Sequence, residues 1–429
     1  LKRSLLFLLL AFLLTLSAVW AQQGYMEVTA PERTGVLLAL APPVLQGGTA
    51  QTELAREMDE VLRFDLGLAG NFSILPSESA GGRGGLRLGE FDLGPWRSLG
   101  TELLVKSGYQ LNGDNLTVEF RLLDIPRERE LLAKRYTGKK REIRRICHLF
   151  ADEVLAAVTG TRGPFTGKVA YVSTVNGNKE LYLMDYDGHG VQRLTRNGSI
   201  NLNPDFSPSG RELIYTSYRG GNPDLYRREI FSGAEAKVSG RTGLNAMAAY
   251  APDGSRIALT LSKDGNSEIY LIGKDGSLGS RLTNNPAIEI SPAWSPDGRQ
   301  IAFVSDRLGN PQVFIMNADG SEVRRLTTSG SYNVSPRWSP KGDRIVYCRR
   351  EGGGFQIYSI ASSGSGDQQL TTKGSNEHPR WSPDGRFIVY SSKQGGREGI
   401  YVMRSDGTGQ TKVSRGSASD NHPVWSVNW

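Results

Sequence analysis

The chain has 429 residues, with 51 Lys and Arg against 44 Asp and Glu and a formal charge of +7. That length leaves room for two or three domains, and a positive balance this small and this mixed in sign does not mark a nucleic-acid binder. Two cysteines, Cys147 and Cys348, are too few for a disulfide framework and are read as buried small hydrophobes.

The first 21 residues open on Lys2 and Arg3, run through an apolar stretch from Leu5 to Leu16 and leave by Val19, Trp20 and Ala21. This is the pattern of a secretory signal peptide cut after Ala21. The apolar run is short for a membrane span, and no Cys follows it to carry a lipid. The expectation is an exported, soluble protein beginning at Gln22, whose polar start through Thr34 is either loose or held by a partner. Residues 36–40 read as a strand that ends at Pro42 and Pro43. Residues 52–66 carry Leu54, Met58, Val61 and Leu62 on one helical stripe, with Thr52 as cap. A short strand at Phe72, a glycine-rich loop, and two longer strands at 102–106 and 116–123 follow, the last pair joined by the hairpin turn Asn112-Gly113-Asp114. The dense basic run from Arg127 to Arg145 reads as solvated helix and turn surface. A helix from Arg141 places Ile143, Ile146, Phe150, Val154 and Leu155 on one side and stops at Gly160. Residues 22–160 therefore form a small α/β domain, with 161–167 a linker.

Within residues 168–429, the predicted propeller, one phrase recurs from Asn203 to the C-terminus, Pro-x-aromatic-Ser-Pro-x-Gly, with its aromatic at Phe206, Tyr250, Trp294, Trp338, Trp381 and Trp425, 43 or 44 residues apart. A second aromatic keeps the same period at Tyr182, Tyr226, Tyr270, Phe314, Tyr358 and Tyr401. Two markers in phase over six copies make a repeat. Each unit holds four short β-branched or aromatic runs and no helical pattern, and most runs are apolar on both faces. The prediction is a six-bladed β-propeller. The first unit, at Lys168, lacks the strand that leads into Trp-Ser-Pro, while residues 422–429 are a surplus copy of it. The C-terminal strand is therefore expected to complete the first sheet and close the ring.

Signatures of catalysis are missing: no metalloprotease His-Glu-x-x-His, no P-loop, no dinucleotide fingerprint, and a Gly364-Ser-Gly366 in a repeat turn with no strand-to-helix context. Asp297, Asp319, Asp384 and Asp406 recur before Gly, as turn carboxylates do. His378 and His422 stand out because both directly precede the Pro of the phrase in adjacent blades. They are read as polar groups at the channel rim that a partner touches. A metal held with Glu377 and Asp420 is the sharper alternative.

The segment "RRICHLFADEVLAAVTGTRGPFTGKVAYVS" at 144–173, "LYLMDYDG" at 181–188, the stretch from Trp96 to Tyr109 and the six Trp-Ser-Pro-Asp-Gly-like blades together resemble the TolB family, periplasmic components of the Tol–Pal cell-envelope system. The resemblance implies a non-enzymatic role without cofactor or metal: a propeller face that holds a Pal-like peptidoglycan-associated lipoprotein, a mature N-terminus (Gln22, Gln23, Glu27) that meets a TolA-like inner-membrane protein, and support of the outer membrane at division. It implies partner contacts at Leu244, Met247 and Ile290, with Leu244 standing where the family has a histidine. The protein is expected to be a periplasmic monomer outside its complex, with no nucleic-acid partner. The alternative is an exported propeller that binds or hydrolyses carbohydrate or peptide.

Overall fold

Alternation and length decide the first sheet. In the computed structural model, which describes residues 35–48, 50–76, 84–175 and 177–429, six strands assemble: β1 (Val36–Leu40), β2 (Val44–Gly48), β3 (Phe72–Ile74), β4 (Leu103–Asn112), β5 (Asn115–Asp124) and β6 (Arg129–Lys139). Their order is β3-β1-β4-β5-β6, with β2 also on β4. The signal peptide reading and Gln22, Gln23 and Glu27 lie outside the described residues. β1 runs parallel to β3 and β4, and β4, β5 and β6 form an antiparallel meander. The helices Thr52–Ala69 and Ile143–Thr159 cover the sheet, burying Leu54, Met58, Phe150 and Val154 against Leu38, Val105 and Phe120. Phe120 and Phe150 stack with ring centres 4.4 Å apart.

Two expectations are corrected here. Thr52 does not cap its helix: Gln51 stands at the N-cap in extended backbone, and no side chain bonds the free amides. The basic run is not a helix and turn surface either, because its first half is the edge strand β6. Arg135 bonds Glu119 at 3.0 Å and Arg129 bonds Asp124 at 3.1 Å, so cations of β6 meet carboxylates on β5 across the ladder. Charge on an exposed edge also opposes pairing with a second chain.

The rest of the described chain forms six four-stranded antiparallel sheets. Their innermost strands are Asn201–Phe206, Asn245–Tyr250, Glu289–Trp294, Asn333–Trp338, Ser375–Trp381 and Ser419–Asn428. These six touch one another in a circle, the last touching the first. The closing sheet has the order Ser419–Asn428, β7 (Gly167–Val175), β8 (Asn178–Asp185), β9 (Gln192–Arg193), with Trp425 opposite Val169 and Val424 opposite Ala170. Strands apolar on both faces are covered on both faces: Leu213, Ile214 and Tyr215 are each fully buried between neighbouring sheets. The repeated turn carboxylates are scaffold. Asp297 accepts the Ser295 hydroxyl at 2.6 Å and the Arg299 amide at 3.1 Å, and Asp384 does the same with Ser382 and Arg386. Both cysteines are free and buried.

The α/β region and the closing blade share one core. Tyr186, on the turn after β8, lies between Phe165 and Trp425 with ring centres 5.3 Å from each. Its hydroxyl donates to Asp65 of the first helix. Arg404 donates to the carbonyls of Leu68 and Gly67 at 2.9 and 3.0 Å, placing a cation on the C-terminal end of the helix. Gly70 closes that helix at φ 76°, and a Cβ there would sit 2.4 Å from Arg404 Nε. These contacts all fall at the Trp-Ser-Pro end of the propeller.

Candidate functional site at the channel mouth

Every inner strand carries a β-bulge three residues before its aromatic. The residue there is Asn203, Met247, Ser291, Ser335, His378 or His422, with φ between 48° and 58° in all six. Register against the neighbouring strand slips at the same place in each sheet. Left-handed backbone costs a non-glycine residue about 1–2 kcal/mol, so six repetitions need a cause. Five of the six are followed by Pro, which has no amide to give the ladder. The bulge also turns each side chain out of the sheet and toward the channel. The result is a ring of six side chains lining the mouth on the face away from the α/β region, around a cavity of about 240 Å³.

Within that ring His378 and His422 stack with centres 3.7 Å apart. His378 Nδ1 lies 3.3 Å from Ser391 Oγ, and His422 Nδ1 lies 3.0 Å from Asn421 Oδ1. Burial, with the nearby Arg380 and Arg337, pushes His378 down to about 3 and holds His422 well below the ordinary range. Both rings are therefore held neutral at physiological pH, chiefly by burial, and for His422 the His378 ring beside it adds to the cost of charging. Ser291 Oγ stands 3.1 Å from Met247 Sδ on the other side of the mouth.

Two residues deeper comes a second ring: Asp205, Ala249, Ala293, Arg337, Arg380 and Val424. Arg380 reaches past the closing blade to Asp205, Nη1 to Oδ1 2.8 Å. Arg337 has no carboxylate. Its Nη1 donates to the Pro336 carbonyl at 2.6 Å, and its buried Nε has no partner. Burial and Arg380 push Arg337 down to about 9, which still leaves it charged at neutral pH. The deeper ring thus carries two cations and one anion.

Of the residues singled out in the sequence, Met247, His378 and His422 meet in the mouth ring. Leu244 and Ile290 stand beside it. Leu244 precedes its strand, giving its amide to Ser262 Oγ at 2.8 Å, and Ile290 is half-buried one residue before Ser291. Around them the mouth-face loops expose Ile200, Tyr218, Ile288 and Leu308, from 37% to 59%. Glu377 and Asp420 do not join the histidines: among the described residues no group of three or more His, Cys, Asp or Glu is placed to hold a metal. Asn203, Ser291 and Ser335 were missed, as were Asp205, Arg337 and Arg380, although their fixed offsets from the repeated aromatic were available to find them.

Residues 155–429 match the family described as the TolB beta propeller domain, and residues 24–131 match the TolB amino-terminal domain. The chain belongs to the TolB family. It is 62% identical over 205 residues to the Tol-Pal system protein TolB of Geobacter sulfurreducens, covering 48% of each chain. It is 61% identical over 210 residues to that of Geobacter metallireducens, covering 48% of this chain and 49% of that one. The chain thus spans about half the length of the curated relatives it matches. The crystal structure of TolB from Acinetobacter baumannii superposes with a TM-score of 0.81 at 24% identity, over 92% of this chain and 97% of that one, which shows that the TolB fold is common to both.

Proposed function

We propose that this TolB-family chain is a non-enzymatic docking component of the Tol–Pal system in the periplasm. In this reading the mouth face of the propeller holds a peptidoglycan-associated lipoprotein, and the segment at Gln22, Gln23 and Glu27 engages a TolA-like inner-membrane protein. The chain then helps to keep the outer membrane attached during constriction. One observation carries the reading of the mouth face: six left-handed bulges aim side chains at one mouth, on the face left open by the α/β region, and that mouth is rimmed by exposed Ile200, Tyr218, Ile288 and Leu308. A polar centre with apolar points around it suits a protein partner, and a standard interface of about 800 Å² per side fits a propeller face.

Capture of the soluble domain of the cognate lipoprotein on immobilised protein tests this. Met247→Arg places a charge in the ring and Ile290→Asp a charge beside it. Each is expected to weaken capture by about tenfold or more, since desolvating an unpaired charge costs well over 1.4 kcal/mol, while the thermal midpoint stays near that of the parent. Undiminished capture by both variants rejects this face.

A further inference from the structure

The charge inside the channel is unbalanced in a way that docking does not explain. Arg337 and Arg380 lie in adjacent blades, both in the channel wall, and both line the mouth cavity and the deeper cavity of about 280 Å³ below it. Asp205 is the one carboxylate in the two rings and is already bonded to Arg380. A half-buried guanidinium left with a single carbonyl and a buried, unpartnered Nε is costly to hold. A second cation beside it raises that cost. The matching deeper-ring positions on two other blades are Ala249 and Ala293, which leave the space open rather than filling it with a second acid. His378 and His422 add imidazole edges above the guanidinium groups and bring no negative charge.

We propose that the channel mouth binds one carboxylate, held by Arg337 with Arg380 beneath the stacked His378 and His422. Guanidinium and carboxylate match in charge and in planar geometry, and their paired hydrogen bonds are of the strong, charge-assisted kind. One carboxylate brings the deeper ring to two cations and two anions. The carboxylate is supplied either by a small free anion or by an acidic side chain of a protein seated on the mouth face. The site stands on the geometry of the channel, whether or not that protein is a lipoprotein.

Thermal midpoints of the full chain, titrated with sodium propionate against sodium chloride at equal ionic strength, test the site by linkage. Propionate is expected to raise the midpoint along a saturating curve that chloride does not reproduce. Arg337→Met should shift that curve to at least about tenfold higher propionate. Asp205→Asn, which frees Arg380 and is close to isosteric, should shift it severalfold lower, and it serves where the arginine variant does not fold. A propionate curve no different from the chloride curve, or an Asp205→Asn curve that is unmoved or moved to higher concentration, overturns the site. Adding propionate to the lipoprotein capture separates the two sources: competition assigns the carboxylate to the docked protein, and simultaneous binding assigns it to a free anion. Loss of capture with the propionate effect intact would reject the docking reading and leave this site standing. Intact capture with no propionate effect would do the reverse.

Discussion

The two ends of the propeller treat buried charge in opposite ways. At the junction with the α/β region, His148 is 2% exposed and its Nδ1 meets Asp65 Oδ2 at 2.8 Å, with Asp187 Oδ2 at 3.6 Å from Nε2. Burial alone would push His148 down, but Asp65 and then Asp187 outweigh it and hold the imidazole above its ordinary range. Arg144 completes the set on Asp187. At the mouth, His378 and His422 face arginines and each other, and both are held neutral. The same side chain is held toward its charged form among carboxylates at one end and toward its neutral form among arginines at the other. Cations paired with carboxylates across the junction fasten the two regions together, whereas the mouth carries one more cation than carboxylate.

The largest effect should come from breaking the carboxylate-paired network at the junction. Asp65→Ala leaves the His148 ring and the Tyr186 hydroxyl buried without their acceptor, and removing one partner of a buried pair costs about 3–5 kcal/mol. Urea unfolding followed by tryptophan fluorescence measures it, because Trp425 stacks on Tyr186. A loss below about 1 kcal/mol would mean that the junction is held by its aromatic core alone.

The repeat phrase carried most of the fold because a propeller is written in period: aromatic, turn and strand recur together, and the surplus final strand located the closing blade. It carried less of the site, because a β-bulge is a backbone event with no composition of its own. Asn, Met, Ser and His differ in size and polarity, so no residue type marks the offset that unites Met247, His378 and His422 with Asn203, Ser291 and Ser335. Asp205, Arg337 and Arg380 were hidden for the opposite reason: each occupies the variable position of an otherwise regular phrase. In the α/β region, β6 was obscured because its Lys and Arg mask the strand alternation, and their carboxylate partners are on another strand. The Asp65–His148 pair lies 83 positions apart along the chain, beyond any local pattern.

A smaller effect separates the two ends by pH. For the depressed mouth histidines, the unfolded chain takes up protons that the folded chain refuses. The contribution of His378 is complete above about pH 6.5 and is lost as the pH falls toward about 3, and that of His422 is lost in the same direction. His148 has the opposite sign: its contribution is complete below about 6.5 and is lost as the pH rises through its elevated folded value. His378 keeps some contact with channel solvent, so its share of the loss between pH 7 and 5 is no more than about 2 kcal/mol. Unfolding free energies at those two pH values should fall less in His378→Asn with His422→Asn than in the parent. An equal fall would place the acid sensitivity elsewhere.

The smallest effect concerns the bulge itself, at Ser335, where φ is 57°. Glycine there relieves about 1 kcal/mol of left-handed strain, but returns about 0.5–1 kcal/mol of backbone freedom to the unfolded chain. Ser335→Gly should therefore lie within about 0.5 kcal/mol of the parent in urea unfolding. Ser335→Val adds a branched Cβ to the same conformation and should cost about 1–2 kcal/mol. The difference between the two substitutions isolates the backbone, because neither side chain restores the hydroxyl. If valine were as well tolerated as glycine, the strand would have relaxed out of the bulge, and the ring at the mouth would owe its shape to its side chains rather than to the proline-paired backbone beneath them.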